Sequence, residues 1–187
     1  MSKRLFAAAA CAAIFGLAVH AEEAALADGE FYTQINLWVE YPKPMPTTNY
    51  HVGEIVPLGS KVKMSAVAPR AAARDIVFVY NGREFTIRME PRHTKVGIDA
   101  LKARTFGATN PLESEAFKAL TEEEQTAVKA GRVVVGMTKP AVLMAYGYPP
   151  EHETPTTEGN FWKFWYNRFT TRTVTFTDGK VSATAGF

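Results

Sequence analysis

The hydrophobic period of this chain changes near Lys95 and changes back near Phe161, and those two switches constrain its fold more than any other feature. Before Lys95 the apolar residues recur at every second position, as they do in half-buried strands. Phe31, Ile35, Leu37 and Val39 alternate with polar or outward-facing partners. Three prolines at alternate positions, Pro42, Pro44 and Pro46, then forbid a central strand and end this one. Ile55 to Ser60 reads as a turn, leading into Lys61 to Val67 with Val62, Met64 and Ala66 on one face. Two apolar runs, Ile76 to Tyr80 and Glu84 to Met89, flank Asn81-Gly82. Both of those residues tolerate positive φ, so the pair predicts a tight hairpin.

Between the switches the spacing is helical. Ile98, Leu101 and Phe106 suit a short helix. Asn110-Pro111 and Thr121-Glu122-Glu123-Glu124 are helix starts, with a capping side chain and acids or a proline in the first turn, and Gly131 is a left-handed stop. Two helices, or one broken helix, are therefore expected over 111–130. A further helix starts at Thr138-Lys139-Pro140 and stops at Gly147. The tail is β again, with an aromatic strand from Phe161 to Tyr166 and a second hairpin closed by Asp178-Gly179. The fold class expected is α+β: a β-rich segment at 22–95, then helices packed on a small antiparallel sheet at 96–187. Gly53, Ile55, Pro57, Gly59 and Val62 give the first segment some likeness to a small bacterial SH3-type barrel.

Residues 1–21 read differently. Lys3 and Arg4 precede an uncharged, alanine-rich run to Val19, and Val19-His20-Ala21 has the small residues of a cleavage site, with Glu22 and Glu23 next. This is the layout of a cleavable signal peptide. It implies export, to the periplasm or the outer membrane. A lipidated start at Cys11 is the alternative, with only Leu5 to Ala10 as its apolar lead. Cys11 is the one cysteine, so a chain cut after Ala21 has no thiol and no disulfide. The cut also removes two of the 21 basic residues and none of the 19 acidic ones, leaving a neutral chain. Nothing strongly basic remains for nucleic acid, which is recognised through cationic domains or stripes. After the leader, no apolar run reaches the ~20 residues of a transmembrane helix.

Charge is nonetheless uneven. Residues 61–104 carry an excess of Lys and Arg, which suits either solvated strand faces or contact with anionic lipid headgroups or acidic polysaccharide. Glu151-His152-Glu153 places three metal-binding residue types in a row, but neighbours in a loop do not converge on one ion, so no metal or other cofactor is expected. His51 and His93 have no spaced partner and read as surface or internally satisfied histidines. There is no Gly-x-Ser-x-Gly elbow and no glycine-rich phosphate loop, and the chain reads as a non-enzyme.

The aromatic strand is the densest feature. Trp162, Phe164 and Tyr166 share one face, assigned to core, while Phe161 and Trp165 take the other. That second face is either covered by another part of the chain or offered to a partner, and Trp165, Phe161 and the nearby Arg168 are its partner-binding candidates.

The order Gly136-Met137-Thr138, Gly147-x-Pro149, Trp162-x-x-x-Tyr166 and Phe176-x-Asp178-Gly179 resembles the SmpA/OmlA (BamE-like) family of outer-membrane assembly lipoproteins over residues 131–187. The resemblance implies helices on a small antiparallel sheet and a scaffold or partner-binding role in the cell envelope, with an envelope protein as partner. Two alternatives are a secreted inhibitor or ligand-binding protein of the same architecture, and an envelope hydrolase whose site assembles only in three dimensions.

Overall fold

The computed structural model describes residues 29–64 and 75–187. The leader, Cys11 and the end of the strand expected to reach Val67 lie outside them. The described residues form an α+β fold, with three antiparallel or mixed sheets and four α-helices around two hydrophobic cores.

Eight strands build the first half: β1 (Gly29–Thr33), β2 (Leu37–Val39), β3 (Met45–Pro46), β4 (Glu54–Val56), β5 (Lys61–Met64), β6 (Asp75–Tyr80), β7 (Arg83–Arg88) and β8 (Phe106–Gly107). Six of them make one sheet in the order β3-β7-β6-β5-β1-β8. The alternation read in the sequence is its cause: in β5, Val62 and Met64 are buried and Lys61 and Lys63 exposed. Asn81 (φ 49°) and Gly82 (φ 73°) close the β6–β7 hairpin in the left-handed region, as expected of an Asn-Gly pair. Pro46 sits on the outermost strand, where its missing N–H costs no ladder bond. The core beneath is centred on Phe78, whose ring lies 5.5 Å from Phe85 and 5.3 Å from Phe106. It runs past residue 95, because Ile98 and Leu101 of helix α1 (Ile98–Thr105) pack on it and β8 pairs with β1.

The second half carries α2 (Glu115–Lys118), α3 (Glu122–Lys129), α4 (Lys139–Tyr146) and a three-stranded sheet of β9 (Phe161–Trp165), β10 (Thr171–Thr177) and β11 (Lys180–Ala185), ordered β11-β10-β9. The expected start at Asn110 is a single 3-10 turn, Pro111–Glu113, after which Ser114 caps α2 afresh. Thr121 and Glu124 form a reciprocal capping box at α3. Buried Glu124 does more, because its second oxygen accepts the N–H of Thr138, the cap of α4, at 2.8 Å. Burial pushes that carboxyl's pKa up, but the N–H and hydroxyl donors of Thr138 and Thr121 outweigh it and hold the group below its ordinary range. One carboxylate thus aligns two helix starts over Trp162, Phe164, Val174 and Phe176.

Strand β2 is buried on both sides. Leu37 and Val39 face the first core, and Trp38, expected to point outward, faces the second. Strand β4 pairs with β2 and divides likewise, with Val56 in the first core and Ile55 against the second. Ile55 and Val56, read in sequence as part of a turn, therefore belong to a two-stranded ribbon that serves both cores. Gly131 (φ 62°) lets the chain pass close to it: a Cβ there would stand 2.9 Å from Ile55 and 3.0 Å from Trp38.

Candidate functional site

Two buried polar side chains hold the cores together. Asn36 donates to the carbonyls of Val128 (2.7 Å) and Ala145 (2.9 Å), near the ends of α3 and α4, and accepts the N–H of Leu58 at 2.7 Å. Helix ends leave such carbonyls without intrahelical partners, so one amide satisfies two helices and a turn. His51 stacks on Tyr146 at 3.5 Å and 4° between planes, with Trp38 and Phe164 edge-on to it. Its ring nitrogens lie 2.9 Å from the carbonyls of Tyr146 and Trp165. Two carbonyls would suit a doubly protonated ring, but burial dominates and, with the nearby Arg172, holds the His51 pKa at about 4 against the raising effect of those carbonyls. At neutral pH the ring is uncharged and one nitrogen donates. His51 is thus a buried neutral histidine that donates to one of the two carbonyls and stacks on Tyr146, packing α4 against β9.

Between the first sheet and α1 lies a cavity of about 50 Å³ with apolar walls from Ile35, Leu37, Met45, Ile87 and Leu101. Asn49, in the left-handed region at φ 45°, lines it with a side chain whose two polar atoms have no partner among the described residues. Nδ1 of His93, also in the lining, has none either. Gly147 (φ 76°) ends α4 here, and a Cβ on it would stand 2.9 Å from the Asn49 amide nitrogen. At the rim Arg104 donates to Glu151 at 2.7 Å and rests on the Tyr148 ring at 4.7 Å. Burial pushes the Glu151 pKa up, but Arg104 and the N–H groups of Lys95 and Val96 outweigh it and hold the carboxyl below its usual range.

Glu151 and Glu153 therefore go to different cations, and His152 Nε2 lies 3.7 Å from Glu153. Glu153 pairs with Lys163 at 3.0 Å, and the His152 ring sits between His93 (4.2 Å) and Trp165 (6.2 Å). The basic surplus of 61–104 is reduced in the same way by acids outside that window: Glu30 pairs with Lys61, Glu54 with Arg83 (2.8 Å) and Glu151 with Arg104.

On the C-terminal sheet the face assigned to core is buried at Trp162 and Phe164. Tyr166 departs from that assignment. Strand β9 ends at Trp165, and Tyr166 lies half-buried beneath the Arg172 guanidinium, 4.2 Å from its ring. Trp165 is half-buried against His152, so part of the second face is covered within the chain. Phe161 and Arg168 are exposed, at opposite ends of β9. Gly136 and Met137 lead into the cap Thr138, Gly147 ends α4, Pro149 follows it, and Asp178 (φ 50°) and Gly179 (φ 75°) close the hairpin after buried Phe176. Asn36, Asn49 and Arg104 were not singled out in the sequence, where each is an ordinary loop or helix polar residue. The one local signal was Asn49, a residue type that tolerates left-handed backbone.

No helix among the described residues is long and apolar enough to cross a membrane. No protein-family model, curated protein or solved structure matches the chain.

Proposed function

We propose that this protein is a non-catalytic binding or scaffold component of the cell envelope, exported by its leader and engaging an envelope protein through the C-terminal module. The observation that carries the reading is a set of exposed aromatic rings backed by guanidinium groups at one end of the sheet. Phe169 is 78% exposed with Arg168 stacked on it at 4.4 Å, and Arg172 lies 5.1 Å from the ring of Phe187, itself 45% exposed. Aromatic and arginine side chains are the residue types that dominate binding energy at protein interfaces. Rings held against guanidinium groups also lose less freedom on docking than isolated ones. The similarity of residues 131–187 to the SmpA/OmlA family supports the same conclusion from sequence.

Site-specific photocrosslinking in the native cell tests it. A crosslinker at Phe169 should give a discrete adduct with an envelope protein, and one at Asn81, on the far hairpin, should give none. Equal labelling from both positions, or none from Phe169, would remove the proposal. Intact mass of the exported chain checks the location, with Glu22 expected as the first residue.

A further inference from the structure

We infer that the contact between His93 and His152 is an acid-sensitive latch: with both rings uncharged it holds the 148–154 loop against the 90–96 turn, and with both protonated it releases the loop from the cavity and from Trp165. The latch is independent of the exposed aromatic patch and of export.

The two segments meet at a small joint. The Glu151 N–H donates to the His93 carbonyl at 3.1 Å. The Glu151 carboxylate accepts the N–H groups of Lys95 and Val96 and pairs with Arg104 at 2.7 Å. Beside these bonds the rings of His93 and His152 lie with centroids 4.2 Å apart, and the other side of His152 faces the Trp165 ring at 6.2 Å and 22°. His93, Val96, Pro150 and Glu151 all line the cavity, so the joint is part of its wall. The Glu151 carboxyl is held below its usual range and stays ionised in mild acid. The two imidazoles are then the groups of the joint whose charge changes between pH 7.5 and 5.5.

The closed joint has no place for two imidazolium ions. Nδ1 of each ring is buried without a hydrogen bond among the described residues. A neutral ring can carry its proton on Nε2 and leave Nδ1 as a bare lone pair, whereas both nitrogens of the charged ring are donors. Each charged ring would therefore bury an unbonded N–H, and the two charges would repel across the contact. Neighbouring charges do not compensate. Glu153 stands 3.7 Å from Nε2 of His152, but Lys163 of β9 holds the same carboxylate at 3.0 Å. Glu151 is taken by Arg104 of α1, and on the turn itself Glu90 is outnumbered by Arg92 and Lys95. Burial and the adjacent His93 push the His152 pKa down, Lys163 adds to them, and Glu153 and the His93 carbonyl offset them only in part. A ring with a lowered pKa stabilises the closed joint fully above its ordinary value of 6.5, and that contribution is lost as pH falls below it.

Amide hydrogen exchange of the full chain, read by NMR as protection factors at pH 7.5 and 5.5, tests the latch. The N–H groups of Lys95, Val96 and Glu151 report on the joint, and those of the β6–β7 hairpin serve as controls. Acid should lower protection at the three reporters by roughly tenfold or more, since each proton taken up on opening contributes up to tenfold per pH unit. The hairpin should keep its protection, and the Trp165 indole N–H signal should shift in the same window. His152→Phe keeps a ring between His93 and Trp165 that cannot take a proton, and should abolish the acid response. His93→Gln removes the second charge and should reduce it. Glu151→Gln should lower protection by the same factor at both pH values, which separates the anchor from the latch. Equal protection of the wild-type reporters at pH 7.5 and 5.5 would overturn the latch, and so would an acid response that persists undiminished in both histidine variants.

Discussion

The two core centres differ in how their buried polar groups are paired. At the seam and in the second core, Asn36, Glu124, His51 and the Trp162 indole N–H all have partners, and most of them bind a helix end or a helix cap. In the first core, the Thr48 hydroxyl and both polar atoms of Asn49 are buried with none. Satisfied networks fix one geometry, and unsatisfied groups reduce stability unless something else completes them. Unpaired atoms also occur at the edge of the C-terminal half, at Trp165 Nε1 and His152 Nδ1, so the contrast is between the two core centres.

The sharpest way to break that contrast is to empty the second core. Trp162 is fully buried at its centre, so Trp162→Ala should cost about 3 to 5 kcal/mol in chemical denaturation. A loss under about 1 kcal/mol would mean that Trp162 does not anchor this core. Asn36→Ala leaves the Ala145 carbonyl and the Leu58 N–H unpaired, while the Val128 carbonyl keeps the N–H of Gly131, and should cost at least about 2 kcal/mol. Because the β2–β4 ribbon belongs to both cores, the same variant should still unfold in one transition, and two resolved transitions would show that the halves are separable.

Acid tests the seam. The His51 pKa is about 4 in the folded chain against 6.5 in the unfolded one. Between those values the unfolded chain holds the extra proton, so stability is full above pH 6.5 and declines as pH falls to 4. The decline attributable to this ring is at most roughly 3 kcal/mol. Denaturation curves of wild type and His51→Phe over pH 4 to 6.5 isolate it, and parallel curves would remove His51 from the account. Smallest, and of opposite sign, is the expected effect in the first core. Thr48→Val replaces an unpaired hydroxyl by a methyl group of the same shape and should raise stability by about 1 kcal/mol, read as a shift in Tm. A loss of stability would show that the hydroxyl has a partner in solution.

Local chemistry was legible in the sequence and tertiary sharing was not. The hairpins at Asn81-Gly82 and Asp178-Gly179, the capping box at Thr121 and the stops at Gly131 and Gly147 depend on residues within four positions of each other, and the structure places them as expected. Trp38 and Ile55 were misread for a physical reason. Alternation shows that two faces differ, but a strand with a core on each side has no outward face. Tyr166 was misread because strand parity was carried one residue beyond the strand's end. The cavity was invisible for a similar reason, since its orphaned amide and its rim arginine stand 55 positions apart and neither belongs to a local motif.

The ribbon also has a consequence for the order in which the chain can be made and folded. Asn36 closes on Val128 and Ala145 across 92 and 109 residues, and His51 on Trp165 across 114. Such closures give up chain entropy before contacts compensate for it, which slows folding. As the chain leaves the ribosome from its amino end, Trp38 therefore has no core to enter until β9 and β10 have followed. The second core cannot close until nearly the whole chain has been made, whereas the buried residues of the first core all lie within 31–106.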